Sequence, residues 1–274
     1  MAGTDDLAIV ELGVDDAPAS LALSTEAHWN QTEADWRFFL SHGIVFGVRD
    51  GDHLIATAAL LPYSAGNAWI SMVLVTASWQ RRGIATRLVD ACLDAARARK
   101  LTTWLDATPA GAAVYGPLGF TPALELRRLR LINPAQNVST QTLPAGNLDE
   151  LIARDRRAIG FDREPLLRAF FDRPGSRLVR HGKAIALIRD GRVARHIGPV
   201  FADDTANAVA LIDAIAQTET RPLIIDAVST QIDFLGGLTT SGWAIERPFQ
   251  RMRFGPRTTE GNELPFAVAG PEFG

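Results

Sequence analysis

An arginine- and glycine-rich turn at residues 80–86 is the part of the chain whose residue types point most directly to chemistry. It follows an apolar segment that ends at Val75, precedes a segment with helical spacing, and reads Gln80-Arg81-Arg82-Gly83-Ile84-Ala85-Thr86. The first N–H groups of a helix have no intrahelical partner and carry partial positive charge, so they bind phosphate well. Gly83 allows close approach of the backbone, and the two arginines add charge. The turn therefore predicts a phosphate or pyrophosphate site.

The same turn excludes two familiar nucleotide sites. It matches neither the G-x-G-x-x-G pattern nor the Walker loop, so neither dinucleotide nor nucleoside triphosphate binding is predicted. One structural alternative stays open, in which the arginines form an exposed turn that only caps a helix.

The elements that would position this turn alternate between strands and helices. Thr32 with Asp35 three residues later predicts a capped helix start, and Asp50-Gly51-Asp52 predicts a hairpin turn. Apolar runs predict strands, and apolar residues at helical spacing predict helices. In the first half, the predicted strands are 7–12, 44–49, 54–61, 69–75, 101–107 and 120–131, and the predicted helices are 15–27, 33–40, 83–99 and 110–118.

The second half repeats this order of elements. A polar segment rich in Pro, Asn, Gln and Thr, residues 132–146, predicts a linker, and residues 257–274 lack periodicity and predict a loose tail. Short segments match between the halves in the same order: Leu88-Val89-Asp90-Ala91 with Leu211-Ile212-Asp213-Ala214, Leu105-Asp106-Ala107 with Ile225-Asp226-Ala227, and Arg128-Leu129-Arg130-Leu131 with Arg251-Met252-Arg253-Phe254. We interpret these matches as a duplication, with chance similarity between two α/β units as the alternative.

Composition narrows the class of protein. The chain has 274 residues, of which 47% are hydrophobic and 22% charged, which excludes a disordered protein and suits two domains. Its net charge of −3 is evenly spread, so we expect neither a nucleic-acid nor a membrane partner. The single cysteine, Cys92, excludes an intrachain disulfide, and we expect no metal. We interpret His42, His53, His181 and His196 as surface or hairpin residues, and we expect a cytoplasmic protein because no signal or membrane-spanning segment is visible.

Three segments resemble the GNAT-type N-acetyltransferases. The turn fits that family's Q/R-x-x-G-x-G/A signature, and Val73-x-Val75 before it fits the pattern of the family's splayed fourth strand. Downstream, Asp106-Ala107-Thr108-Pro109 and the Y-x-x-x-G-F ending at Tyr115–Phe120 are similar to the family's fifth strand and fourth helix. The resemblance covers residues 7–131 closely, and the second half resembles a degenerate copy. It implies an α/β (α+β) fold of two tandem domains, each with a mixed, mostly antiparallel twisted sheet flanked by helices.

The resemblance also implies roles for individual residues. Tyr115 would be the general acid that protonates the departing CoA thiolate, with a packed aromatic as the alternative. Backbone groups of the fourth strand would bind the pantetheine arm and support the oxyanion, and backbone N–H groups of the turn would hold the pyrophosphate. The implied acetyl-CoA-binding residues are Val73, Leu74, Val75, Gln80, Arg81, Arg82, Gly83, Ile84, Ala85, Thr86 and Asp106.

The general base and the acceptor site are not settled by the sequence. The fourth strand carries no carboxylate, so the candidates for the base are Glu26, His28, Glu33 and Asp35, or a water relayed through Ser71. An amine that arrives already neutral would need no base. His28, Trp29 and Ser71 are candidates for contact with the acceptor, with a packed helix–helix turn as the alternative for the first two.

The second half has lost the features that carry this chemistry. Its equivalent of the phosphate turn has no arginine or glycine and contains Asp203 and Asp204, which would repel a pyrophosphate. Either aspartate suits a helix N-cap, and Leu235 stands where Tyr115 stands in the first half. We expect this half to be a lid, a wall of the acceptor site or a packing partner.

These observations predict one catalytic domain and one degenerate copy. We expect domains at 1–131 and 147–256, joined by the linker 132–146 and followed by the tail 257–274. The expected activity is transfer of acetyl from acetyl-CoA to a primary amine of a small molecule or peptide, by a monomer or homodimer. Cys92, at an apolar helical position, is not expected to be a nucleophile. A non-catalytic acyl-CoA-binding sensor or scaffold and transfer of a longer acyl chain are the alternatives.

Overall fold

The computed structural model describes residues 7–134, 142–256 and 259–274. Part of the predicted linker, residues 135–141, lies outside the described residues, as do 1–6 and 257–258. Contacts divide the chain into two compact units: Met1–Leu105 with Phe254–Thr258 and Phe273, and Asp106–Arg253 with Thr259–Glu272 and Gly274. The division therefore falls ahead of the predicted linker.

The first unit is built on a sheet in the order β1-β2-β3-β4-β5, antiparallel except for the last pair. Its strands are β1 Ile9–Glu11, β2 Ile44–Asp50, β3 His53–Tyr63, β4 Asn67–Val75 and β5 Thr102–Ala107, whose last two residues are counted with the second unit. Its helices are α1 Ala17–Glu26, α2 Glu33–His42 and α3 Ile84–Ala98. The expected hairpin at 50–52 is present between β2 and β3.

Local sequence explains where these helices begin and which face they bury. Thr32 caps α2, since its side chain accepts from the Asp35 N–H while the Asp35 carboxylate accepts from the Thr32 N–H at 2.7 Å. Helix α3 buries a stripe that includes Ile84, Leu88 and Cys92 against the sheet. Burial raises the pKa of the Cys92 thiol to about 12, which disfavours the nucleophilic thiolate.

The second unit contains a sheet in the order β11-β6-β10-β9-β8-β7. Strand β6 pairs antiparallel with both β10 and β11, and β9 is parallel to β10. Its strands are β6 Thr121–Leu131, β7 Arg177–His181, β8 Ala184–Arg189, β9 Arg195–Phe201, β10 Leu223–Val228 and β11 Ala244–Phe254, and its helices are α4 Pro109–Tyr115, α5 Leu148–Ile159, α6 Glu164–Phe171, α7 Thr205–Ala216 and α8 Ile232–Thr240. The mixed, mostly antiparallel sheets confirm the predicted α/β class.

Two expectations from the sequence are wrong. Residues 266–269, expected in a loose tail, are almost fully buried, and Phe266–Val268 hydrogen-bond to β9 and β10. His196, expected at the surface or in a hairpin, is 2% exposed because β9 extends from Arg195 to Phe201 at the centre of the sheet.

Candidate functional site

A bulge interrupts β4 just before its end. The pairing with β3 shifts between Thr57 and Ala59, so that both Met72 and Val73 stand opposite a single residue, Ala58. Met72 has a positive φ of 53°, and its carbonyl accepts the buried hydroxyl of Thr57 at 2.9 Å. A bulge re-aims backbone groups away from the ladder, which allows the groups of Val73 to turn toward a ligand.

Strands β4 and β5 are paired only at their beginnings. Their register covers Asn67–Trp69 and Thr102–Trp104, and the indole N–H of Trp104 donates to the Asn67 side chain at 2.9 Å. From there to Val75, β4 keeps β3 as its partner. The last part of β4, from the bulge to Val75, thus offers one unpaired edge among the described strand pairs.

The arginine–glycine turn follows β4 directly and begins helix α3. The Gln80 side chain donates to the Val75 carbonyl at 3.0 Å, which ties the turn to the strand end. Arg82 stacks on Trp79 at 4.7 Å and donates to the Ser78 carbonyl, so its guanidinium is held in place although exposed. Exposed Arg81 leaves the turn's positive charge open to solvent.

Gly83 sets the geometry of the helix start. Its φ is 79°, a left-handed conformation that favours glycine, and a Cβ there would meet nothing within 4 Å. The first intrahelical bond runs from the Arg87 N–H to the Gly83 carbonyl. The N–H groups of Ile84, Ala85 and Thr86 therefore have no intrahelical acceptor, and with the arginines they can hold an anion.

Glu26, one candidate for the base, is engaged in the scaffold of this site. Its carboxylate accepts the Thr76 hydroxyl at 2.7 Å and the Ala77 N–H at 2.8 Å. These bonds, that from the Ala77 N–H first, hold the pKa of Glu26 below its usual range. Glu26 thus ties the end of α1 to the segment after β4, and a lowered pKa makes it a poor proton acceptor.

The acceptor candidates lie on the same unit. His28, exposed and with a φ of 58°, follows the end of α1, and half-buried Trp29 donates its backbone N–H to the Ser24 carbonyl at 2.9 Å. Ser71 on β4 is 9% exposed, and its hydroxyl has no hydrogen-bond partner among the described residues. The other base candidates, Glu33 and Asp35, bond Arg37 and the cap of α2.

Tyr115 and Asp106 belong to the second unit. Tyr115 ends α4, is partly exposed, and its ring lies 5.8 Å from that of Phe120. The buried Asp106 carboxylate accepts two hydrogen bonds from Arg251, at 2.9 and 2.8 Å. Burial raises the pKa of Asp106 against the opposing charge of Arg251. Residues 73–86 thus belong to the first unit, whereas Asp106 and Tyr115 belong to the second.

A buried charged cluster in the second unit was not foreseen. The Asp226 carboxylate accepts two hydrogen bonds from Arg128 at 2.8 Å, and His196 Nε2 lies 2.9 Å from it. Burial alone would raise the pKa of Asp226, but Arg128 and His196 hold it below its usual range. The matches Asp106 with Asp226 and Arg128 with Arg251 were the available signal, because a charge retained in two buried strands needs a partner.

The second half differs from the first both at the turn that begins the helix and at the bulge of the preceding strand. Asp204 caps α7 by accepting the Asn207 N–H at 2.8 Å, as its position predicted. The pairing of β8 with β9 is also interrupted, with Gly198 and Pro199 opposite Leu187. Pro199 stands where Val73 stands in the first half, and a proline has no N–H to donate.

The described residues offer neither a candidate metal site nor a candidate membrane span. No group of three or more His, Cys, Asp or Glu side chains in the described part of the chain could hold a metal ion. No helix of the described ranges is long and apolar enough to cross a membrane.

Comparison with known proteins identifies the same kind of domain in both halves. A profile of the Acetyltransferase (GNAT) family matches residues 11–120, and one of an Acetyltransferase (GNAT) domain matches residues 151–267. The chain is 28% identical over 207 residues to a holothin acyltransferase from Pseudoalteromonas sp. (strain SANK 73390), covering 70% of this chain and 68% of the relative.

Solved structures share the fold. A putative acetyltransferase from Pyrococcus horikoshii has a TM-score of 0.81 at 21% identity, over 100% of this chain and 98% of that one. A tandem GNAT protein from the clavulanic acid biosynthesis pathway has a TM-score of 0.64 at 16% identity, over 92% of this chain and 100% of that one. At these identities the likeness concerns the fold alone.

Proposed function

Since the chain belongs to the GNAT family of acetyltransferases, with two such domains in tandem, we propose that its first half transfers acetyl from acetyl-CoA directly to a primary amine. The observation that carries the proposal is the turn at 80–86. It places the N-terminus of α3 and two exposed arginines directly after a bulged strand end. A pyrophosphate group fits this donor set, because each of its contacts there is an N–H or a positive charge.

In the proposed binding mode, the backbone N–H groups of Arg81–Thr86 bind the pyrophosphate of acetyl-CoA. The free edge of β4, from Val73 to Val75, pairs with the pantetheine amides, as a strand would. Acetyl-CoA supplies the thioester whose acyl group is transferred. A β4 N–H directed at the thioester carbonyl stabilises the developing oxyanion, an interaction typically worth about 3 kcal/mol.

Proton transfer is assigned to Tyr115 and to solvent. The neutral amine attacks the thioester carbon, and the C–S bond breaks as the Tyr115 hydroxyl gives its proton to the departing thiolate sulfur. The amine must lose a proton, and Glu26 is disfavoured as its acceptor because its carboxylate is already engaged. A water beside the buried Ser71 hydroxyl, which has no hydrogen-bond partner in the described part of the chain, fits this step better. Cys92 takes no part.

A screen of amines for thiol release tests the activity. Acetyl-CoA and longer acyl-CoA esters are offered with small amines and peptides, and free CoA is measured. The relative from Pseudoalteromonas is named a holothin acyltransferase, so holothin belongs in the panel of acceptors. Amine-dependent thiol release supports the proposal. Tight CoA binding with no turnover across the panel would favour a non-catalytic acyl-CoA sensor, which the absence of a carboxylate on β4 already suggests as the alternative.

A further inference from the structure

The two central parallel strands of the second half separate soon after they pair. Strands β9 and β10 are paired only through Arg195–Ile197 and Leu223–Ile225. Beyond this pair, Ala267 forms an antiparallel bridge to Val200 of β9 and another to Ala227 of β10. The segment Phe266–Val268 therefore lies between the two strands, in a position that we call the β9–β10 slot.

Backbone hydrogen bonds join this segment to both walls of the slot. On the β9 side, Val200 N–H donates to the Ala267 carbonyl at 3.0 Å and Phe266 N–H donates to the Val200 carbonyl at 2.9 Å. On the β10 side, Val228 N–H donates to the Phe266 carbonyl and Val268 N–H donates to the Asp226 carbonyl, both at 3.0 Å. Four bonds from three residues is the pairing expected of a central strand.

Side chains of the slot match the segment closely. Ala227 and Ala267 are fully buried, and the Phe266 ring lies edge-on to that of Phe234 at 5.1 Å. A Cβ built on Gly198 would lie 2.1 Å from the Val268 carbonyl oxygen, so only glycine permits this approach. Gly198 therefore leaves room in the slot for the backbone of a peptide strand.

The slot corresponds to the part of the first half that is proposed to hold the pantetheine arm. Strands β9 and β10 match β4 and β5 in the repeat. The bulge on β9 stands at the same place as the bulge on β4. In the first half the strand edge after the bulge has no second partner among the described strand pairs. In the second half that edge is paired with the chain's own segment.

We propose that the β9–β10 slot is a binding site for an extended peptide strand, and that Phe266–Val268 occupies it permanently. The chain then binds one acyl-CoA, not two, a count that rests on the proposed function of the first half. Backbone amides recognise the strand, and the close approach at Gly198 and the small residues at 227 and 267 exclude bulkier occupants.

Native mass spectrometry of the full chain with excess CoA counts the sites. One CoA per chain supports both the proposed function and the peptide-filled slot. Two CoA molecules per chain would overturn the slot proposal while leaving the function intact. No bound CoA would overturn the proposed function, and the slot would then be judged by hydrogen exchange alone.

Hydrogen exchange tests the slot without depending on acyl-CoA. The amides of Val200, Val228, Phe266 and Val268 should exchange slowly, at rates that CoA leaves unchanged. Rapid exchange at these amides, or a change caused by CoA, contradicts permanent occupancy. Gly198→Ala should accelerate exchange of the segment by about tenfold or more, because its Cβ displaces the Val268 carbonyl. The matched control is Gly236→Ala in α8, where a Cβ meets nothing within 4 Å.

If Gly198→Ala does not fold, a second variant, Val268→Pro, can be tested together with a peptide added in trans. Val268→Pro removes one donor from the segment and leaves both strand walls intact. A synthetic peptide of residues 262–271 should restore slow exchange at Val200 and Val228 in this variant. A peptide of reversed sequence should not do so, and equal protection by both peptides would show that the slot does not recognise this segment.

Discussion

The Asp106 carboxylate at the end of β5 is bound through two hydrogen bonds to Arg251 of β11, which lies 145 residues further along the chain. The equivalent aspartate of the second half, Asp226 on β10, is bound in the same way to Arg128 of β6. Each half therefore provides the arginine for the other half's aspartate, and the last strands β6 and β11 are paired with one another. The two repeats have exchanged these interactions.

Removing one arginine of these pairs should destabilise the protein strongly. Arg251→Met leaves the fully buried Asp106 without its counter-charge, and breaking such a pair typically costs about 3–5 kcal/mol. We expect a loss of that size in the free energy of unfolding, measured by chemical denaturation.

Two further variants show whether the loss of stability comes from the unpaired buried charge or only from lost side-chain contacts. Asp106→Asn with Arg251→Met should recover part of the stability, since no buried charge is then unpaired. Arg168→Met, at an exposed pair with Glu164 on α6, should cost far less stability than Arg251→Met, because water and salt screen an exposed pair. Equal losses for Arg251→Met and Arg168→Met would show that the exchanged pair contributes no more than a surface pair.

The sequence predicted the elements and the turn better than the contacts between distant residues. Apolar spacing located β4 and α3, and the cap rule located Thr32, because these signals are local. Pairing of Asp106 with Arg251, burial of His196 and insertion of Phe266–Val268 depend on which strands become neighbours, which no local pattern encodes. The last segment shows no periodicity because only its three residues Phe266–Val268 pair with strands, and so short a run cannot display a repeat.

The charge at the start of α3 should control CoA affinity. Asparagine and aspartate both tolerate the left-handed conformation of residue 83 and differ only in charge. Gly83→Asp should weaken CoA binding about tenfold more than Gly83→Asn, because a carboxylate at the helix start repels the pyrophosphate by roughly 1–2 kcal/mol. Isothermal titration at two salt concentrations measures the difference, which should shrink as salt rises. Equal affinities of the two variants would place the pyrophosphate elsewhere.

Tyr115→Phe should lower turnover without removing CoA binding. A positioned proton donor contributes about 10²–10⁴-fold to rate, so kcat should fall within that range while the Kd for CoA changes little. The matched control is the other tyrosine, Tyr63, whose hydroxyl donates to the Phe273 carbonyl at 2.9 Å. Tyr63→Phe should lose about 1 kcal/mol of stability and keep its kcat. An unchanged kcat in Tyr115→Phe would remove the hydroxyl from the mechanism.

Glu26→Gln distinguishes a structural carboxylate from a catalytic one. Glutamine keeps an acceptor for the Thr76 hydroxyl and the Ala77 N–H but cannot take a proton at neutral pH. We expect the pH dependence of kcat/KM to keep its shape, with any loss seen mainly as a higher KM for acetyl-CoA. If the acidic limb of the profile vanished in this variant, Glu26 would be the base after all.

His196 should make the protein less stable in mild acid. Burial and the nearby charge of Arg189 lower its pKa to about 4, from an ordinary value of about 6.5, while its bond to Asp226 opposes the shift. Between these values the unfolded state binds the proton and the folded state does not, so the free energy of unfolding should fall by about 3 kcal/mol as the pH drops from 6.5 to 4. His196→Gln keeps a donor for Asp226 but cannot titrate in this range. Denaturation curves across this range should therefore be flatter for His196→Gln than for the wild type, and parallel curves would assign the acid sensitivity to other groups.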